Sequence, residues 1–272
     1  LREGGYPKLK AGHGGTLDPL ASGVLPVALG EATKLAGRML DADKVYEFTI
    51  RFGEETDTLD LEGEVVATSD RVVDDADVED VLVEFIGPIS QVPPAYSALK
   101  VDGKRSYDLA RAGLKADLPG RQVVIHELDY RLGWREAGRL HVTLVARVSK
   151  GTYIRALARD IARALDSVGH VTMLRRLKAG PFTLESAISL DKMGELAKAR
   201  QLEQALLPLA AGLDDIPALP VTPDQARALR EGRILAGIAA KPGLHLATDS
   251  SVPVALVELS EGDLRVVRGF NI

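Results

Sequence analysis

In "KVYEFTIRF", Tyr46, Phe48, Ile50 and Phe52 alternate with Glu47, Thr49 and Arg51. That two-residue period predicts a strand with one buried face. "RQVVIHELDYRLGW" and "GRLHVTLVARVS" predict two further strands, the second alternating through Leu140, Val142 and Leu144. "HVTMLRRLKAGPF" predicts a strand or edge segment, and "GEETDTLDLEGEVV" an acidic turn leading into another strand. The period becomes helical in "DDADVEDVLVEFIG", through Val78, Val81, Leu82 and Phe85. In "SKGTYIRALARDIARALDSVG", Ile154, Leu157, Ala158, Ile161, Ala162 and Leu165 form an apolar stripe. Arg155, Arg159 and Arg163 form a second stripe at four-residue steps, expected to be solvated at Arg159 and Arg163. Thr152 is placed to cap the start of this helix and Gly169 to close it.

Between these elements the punctuation changes. "EATKLAGRML" predicts a short helix ending near Asp41. "GPISQVPPAYSALKVDGKRSYDLARAG" is rich in Pro, Gly and bases, and predicts a projecting loop with a short helix from Ser106 to Ala112. A helical stretch runs to about Leu209, and "AAGLDDIPALP" marks a composition break. The domain boundary is expected there, giving domains 1–212 and 213–272. The second is a small β-rich module. It has a helix in "TPDQARALREG" and strands near "LHLAT", "VPVALVEL" and "LRVVRGF", the last two joined by the turn "SEGD".

Composition narrows the function. No stretch approaches the roughly 18 apolar residues of a membrane span. With no Cys, the chain has no disulfide, no thiolate zinc site and no Cys nucleophile. The five histidines, His13, His126, His141, His170 and His245, lack ligand spacing, so no metal site is expected. "GEATK" and "SKGT" lack the spacing of a nucleotide-triphosphate loop. The absence of Cys fits a reducing cytoplasm. The chain opens at Leu1 with no signal-peptide pattern, and its natural N-terminus is expected to precede Leu1.

The net charge of −5 conceals local patches. Glu47 to Glu84 carries fourteen acids against two arginines, and is expected to face solvent away from any polyanion. Arg147 to Lys178 carries eight Lys/Arg against Asp160 and Asp166, and Lys100 to Arg121 carries six bases against three acids. Such patches, more than net charge, attract phosphates.

One stretch concentrates candidate chemistry. "AGHGGTLDPLASGVLPVALGEATK" sets Asp18 before Pro19, with His13, two glycines and Thr16 within six residues. A turn alone accounts for an Asp-Pro pair. The glycines would also let a ligand approach the backbone. Arg155, near the N-terminal end of its helix, opposes the helix dipole and calls for a compensating anion, for which Asp18 is a candidate. Tyr46 shares its strand face with three apolar residues and fits ordinary core packing, while Tyr153 and Arg155 open the arginine-striped helix and fit a solvated helix face.

Five motifs occur in the order "GHGGTLDPLASGVLPVALGEATK", "DKVYEF", "PPAYSALKVDGKRSYDLAR", "SKGTYIRALARDI" and "HVTMLRRL". Together they resemble bacterial TruB-type tRNA pseudouridine synthases over roughly Gly12 to Phe182. The resemblance implies an α+β fold. It has a central, mostly antiparallel mixed sheet flanked by helices and loops, a thumb-like insertion at about 91–115, and a PUA-like RNA-binding C-terminal domain.

It implies that Asp18 is the catalytic aspartate and that His13 reshapes the RNA T-loop. Tyr46 would stack on the target base, Tyr153 and Arg155 would line the pocket, and Arg155 would bond the catalytic carboxylate. Leu174 would be the apolar wall beside the uracil, and Lys34 a backbone-contacting lysine. The substrate would be the tRNA T-arm, its uridine 55 isomerised without a cofactor. The enzyme would be a monomer with no obligate protein partner. Family members carry an upstream segment with a Lys-Pro pair that is absent from this sequence.

Two other readings use the same residues. A nucleoside hydrolase would release free uracil through Asp18, and a tRNA-binding chaperone would fold tRNA without chemistry. A Cys-dependent uracil methyltransferase is excluded.

Overall fold

The computed structural model describes residues 5, 8–97, 99–101, 103–113 and 118–272. These form two compact units. One contains 16–25 and 40–184, and the other contains 1–15, 26–39 and 185–272. The packing units thus divide the chain at 184/185 and within the first forty residues.

The first unit is built on a seven-stranded sheet ordered Phe182–Thr183, Gly169–Ala179, Lys44–Phe52, Arg139–Val148, Arg121–Glu136 and Gly87–Gln91. Each neighbouring pair is antiparallel. Ser22–Gly23 adds a parallel pairing, against Arg175–Arg176. The alternation in Lys44–Phe52 does what its period requires: Phe48, Ile50 and Phe52 are buried and Tyr46 packs at the margin of the core. Helices Asp75–Leu82 and Ile154–Ala164 bring Val78, Val81, Leu157 and Ile161 into the same cluster. Asp74 and Asp77 form a capping box at the first of these helices.

The start of Ile154–Ala164 differs from expectation. Its N-cap is Tyr153, while the Thr152 hydroxyl donates to the Ser149 carbonyl. Asp166 turns left-handed (φ 52°) beyond the helix end, and Gly169 opens the next strand.

In the second unit, Ala11–His13 pairs antiparallel with Val27–Leu29. A four-stranded sheet runs Ala218–Pro220, Gly243–Asp249, Val252–Ser260, Asp263–Gly269. Helix Pro223–Arg230, capped by the Thr222 side chain, buries Ala226 and Leu229 with Val254, Val257 and Leu264. The "SEGD" turn forms with Glu261 and Gly262 both at positive φ, as a tight hairpin requires. Leu35 packs with Leu213, Ile216 and Phe270, which ties the segment after Val27–Leu29 into this unit.

Candidate active site

The Asp18 loop is held by local rules and by a distant strand. Asp18 opens a turn in which the Ala21 N–H donates to the Asp18 carbonyl (2.9 Å), with Pro19 at the position its fixed φ favours. Ser22 and Gly23 then join the edge of Gly169–Ala179, and the Val24 N–H donates to the Arg176 carbonyl at 2.9 Å. Gly23 sits at φ 99°, and a Cβ there would collide with that carbonyl. Gly14 also serves packing: a Cβ would strike Met39, and its N–H donates to the Pro26 carbonyl. The absence of a side chain at Gly14 thus makes room for Met39.

Arg155 enters from the first turn of its helix, with only 6% of its side chain exposed. Its Nε donates to Asp18 Oδ2 at 2.8 Å. Nη1 donates to the Thr58 carbonyl (2.8 Å) and lies 3.5 Å from Asp60 Oδ2. Nη2 donates to the Tyr96 carbonyl at 3.0 Å. Two carboxylates thus answer the cation that the helix dipole disfavours. Asp18 keeps 34% of its side chain exposed, so one charged partner faces outward while the other is sealed.

Asp60 is one residue that sequence reasoning missed. It lies in the acid-rich segment expected to face solvent, yet it is only 2% exposed. Its Oδ1 accepts from the Thr58 hydroxyl (2.6 Å) and the Glu62 N–H (3.0 Å). Between Thr58 and Asp60, the buried Leu59 adopts φ 63°, which for such a residue costs on the order of 1–3 kcal/mol. Nothing local in "DTLDLEG" distinguishes this acid from its neighbours.

Arg159, expected to be solvated, is buried. Its Nη2 donates to the Val92 carbonyl (2.9 Å) and its Nε to Asp160 (2.8 Å). Arg163 is exposed and pairs with Glu55. Gln91, fully buried, accepts from the Tyr153 N–H (2.8 Å) and donates to the Tyr153 carbonyl (3.2 Å). The helix bearing Arg155 is thereby fastened to the start of the expected thumb. Within that thumb the structure describes helix Ser106–Arg111, and the buried Ser106 hydroxyl donates to the Ala95 carbonyl. Ala98, Asp102, Leu114 and Lys115 lie outside the described residues.

Tyr46 and Arg176 are cross-strand neighbours, as are Phe48 and Leu174. Arg176 approaches the Tyr46 hydroxyl to 3.5 Å, with its guanidinium carbon 6.0 Å from the ring centroid. Leu174 is buried, and Tyr46 and Tyr153 are half-buried. The Arg121 guanidinium covers the Tyr153 ring at 4.6 Å. His13 and Lys34 belong to the other compact unit. His13 is exposed, while Lys34 Nζ donates to Glu31 (2.7 Å) and the Gly269 carbonyl (2.8 Å). A separate cleft of about 250 Å³, lined by Arg71, Asp77, Asp80, Glu84 and Asp166 among others, is too acidic to hold a polyanion and contains none of the site residues expected from the sequence.

Lys44 is buried beside this group, its Nζ donating to the carbonyls of Leu40 (2.6 Å) and Ala42 (2.5 Å). Burial, and then the charge of Arg176, lowers its pKa to about 8. An unfolded lysine keeps its proton to about pH 10.4. Between those values the unfolded state binds the additional proton, so the contribution of Lys44 to stability rises with pH across that window. Urea unfolding at about pH 7.5 and about pH 9.5 should therefore show a pH-dependent gain that Lys44→Met loses, and identical slopes for both proteins would refute it.

The chain matches known proteins along nearly its whole length. Residues 5–154 match the TruB family pseudouridylate synthase (N-terminal domain), and residues 155–214 the tRNA pseudouridylate synthase B C-terminal domain. The tRNA pseudouridine synthase B of Novosphingobium aromaticivorans is 63% identical, the alignment covering 100% of this chain and 90% of that one. That of Zymomonas mobilis is 59% identical, covering 100% and 88%. Among solved structures, a chain of an H/ACA RNP bound to a substrate RNA containing 2′-deoxyuridine matches with TM-score 0.69 and 25% identity, over 97% of this chain and 77% of that one. A chain of a Cbf5-Nop10-Gar1 complex matches with TM-score 0.69 and 26% identity, over 97% and 76%. With motifs, fold and relatives in agreement, the chain belongs to the TruB family of pseudouridylate synthases.

Proposed function

We infer that this chain isomerises uridine in tRNA to pseudouridine, with Asp18 as its catalytic residue and the T-loop uridine, position 55, as its target. The observation that carries the reading is the 2.8 Å pairing of a partly exposed carboxylate with a buried guanidinium. In the reaction the N1–C1′ bond breaks, the uracil rotates and C5 bonds to C1′. The proton on C5 is lost and N1 gains one. Redox state and composition are unchanged, so the chemistry requires no cofactor. An ionised Asp18 can begin it by attacking C1′ or by taking the C2′ proton to give a glycal.

The base must first leave its stack, at a cost of a few kcal/mol. Stacking on Tyr46 would return about 1–3 kcal/mol. Leu174 and Tyr153 would wall the pocket, and His13 would reshape the T-loop. Lys34 would exchange Glu31 for a phosphate. We assign residues 91–115 to a thumb closing on the RNA and 213–272 to a PUA-like RNA-binding domain. The enzyme would work as a monomer in the cytoplasm.

A T-arm hairpin carrying [5-³H]uridine at the target position tests the reading. Tritium should pass to water with no uracil released, and affinity should fall as salt rises. Release of free uracil, or equal tritium release from a label elsewhere in the hairpin, would refute it.

A further inference from the structure

We propose that Arg176 is a positioning residue for the isomerisation, clamping both ends of the loop that presents Asp18 and setting that loop against Tyr46. The proposal rests on the reading of Asp18 as the catalytic carboxylate. Arg176 is 1% exposed and is the largest fully buried side chain among the described residues. Its Nε donates to the Val24 carbonyl at 2.7 Å and its Nη1 to the Thr16 carbonyl at 3.0 Å. These carbonyls lie on either side of Asp18 in the chain, so one rigid, planar group spans the loop. The same Nη1 approaches the Tyr46 hydroxyl, and the Arg176 main chain pairs with Ser22–Gly23. Loop, tyrosine and strand therefore meet at a single side chain.

The energetics indicate a purpose other than stability. Among the described residues, no hydrogen-bond partner of Arg176 is a carboxylate, and its Nη2 is buried without any partner. A buried cation in that condition is costly, and an apolar side chain of similar volume would serve the fold as well. The Arg176 charge also acts on the nearby Lys44, whose pKa is lowered first by its own burial and then by Arg176. What an apolar side chain cannot supply is a fork of donors that fixes two carbonyls at once. A carboxylate displaced by about 1 Å loses on the order of 100-fold in rate.

The experiment compares single-turnover rate, T-arm affinity and Tm for the wild type, Asp18→Asn, Arg176→Met, Arg176→Lys and Gly23→Ala. Gly23→Ala disturbs the same junction from the loop side, since its Cβ meets the Arg176 carbonyl. We expect Arg176→Met to lose about 100-fold in rate, with affinity within about threefold and Tm within a few degrees of wild type. Arg176→Lys keeps the charge but not the fork, and should fall between wild type and Arg176→Met; Gly23→Ala should share the loss of rate of Arg176→Met, with a larger fall in Tm because its Cβ meets a backbone carbonyl at positive φ. If Arg176→Met does not fold, the other two variants decide. A folded Arg176 variant with wild-type rate, or one whose loss of rate is matched by its loss of affinity, overturns the proposal. An Asp18→Asn enzyme that still turns over would instead overturn the reading of Asp18 on which it rests.

Discussion

Asp18→Asn should abolish turnover, by about 10⁴-fold or more, while T-arm RNA still binds within a few-fold of wild type. The substitution preserves the volume of the side chain and an oxygen able to accept from Arg155 Nε. The turn from Asp18 to Ala21 depends on the backbone and on Pro19, so it is unaffected. What disappears is the negative charge at the sugar, and with it both the nucleophile and the base. A stopped-flow binding trace on labelled T-arm RNA, set beside tritium release, separates the two effects. Residual turnover within tenfold of wild type would remove Asp18 from the chemistry.

Arg155→Met should be nearly as damaging and should differ in kind. Turnover should fall by about 10³-fold, because the guanidinium fixes the position of the carboxylate through the Nε–Oδ2 hydrogen bond. Stability should also fall, by about 3–5 kcal/mol, because Asp60 is left as a sealed, unpaired charge. The partner substitution separates these losses. Arg155→Met combined with Asp60→Asn should recover most of the stability and none of the activity, since Asp18 remains unsupported. Urea denaturation of the four proteins of this cycle gives the coupling directly. Additive stability losses would show that Arg155 and Asp60 do not share a buried interaction.

The sequence and the structure agree where burial follows a local period. Lys44–Phe52, Asp75–Leu82 and Pro223–Arg230 form where their apolar spacing places them, each carrying its own face or cap in consecutive residues. The Asp18–Arg155 pair was also foreshadowed, because a cation at a helix start needs an anion whatever the fold. Asp60, Arg159 and Arg176 gave no such signal. In the sequence they are an acid among acids, a base on a polar stripe, and one half of an Arg-Arg pair. Their burial depends on a left-handed Leu59, on the Val92 carbonyl and on the two ends of the Asp18 loop. Gly14 was legible as special but not in its purpose, and Gly23 was not marked out at all, since the atoms that fill their space come from Met39 and Arg176.

By itself, the sequence determined the apolar faces, the turn at Asp18, the family and the residue types available for chemistry. Only the tertiary structure decided which charged groups leave water and which atoms they meet there. Apolar burial repeats with the geometry of a single helix or strand, and so it is written in neighbouring residues. A buried charge is tolerated only where donors and acceptors from remote segments converge on it, and that convergence exists only once the chain has folded.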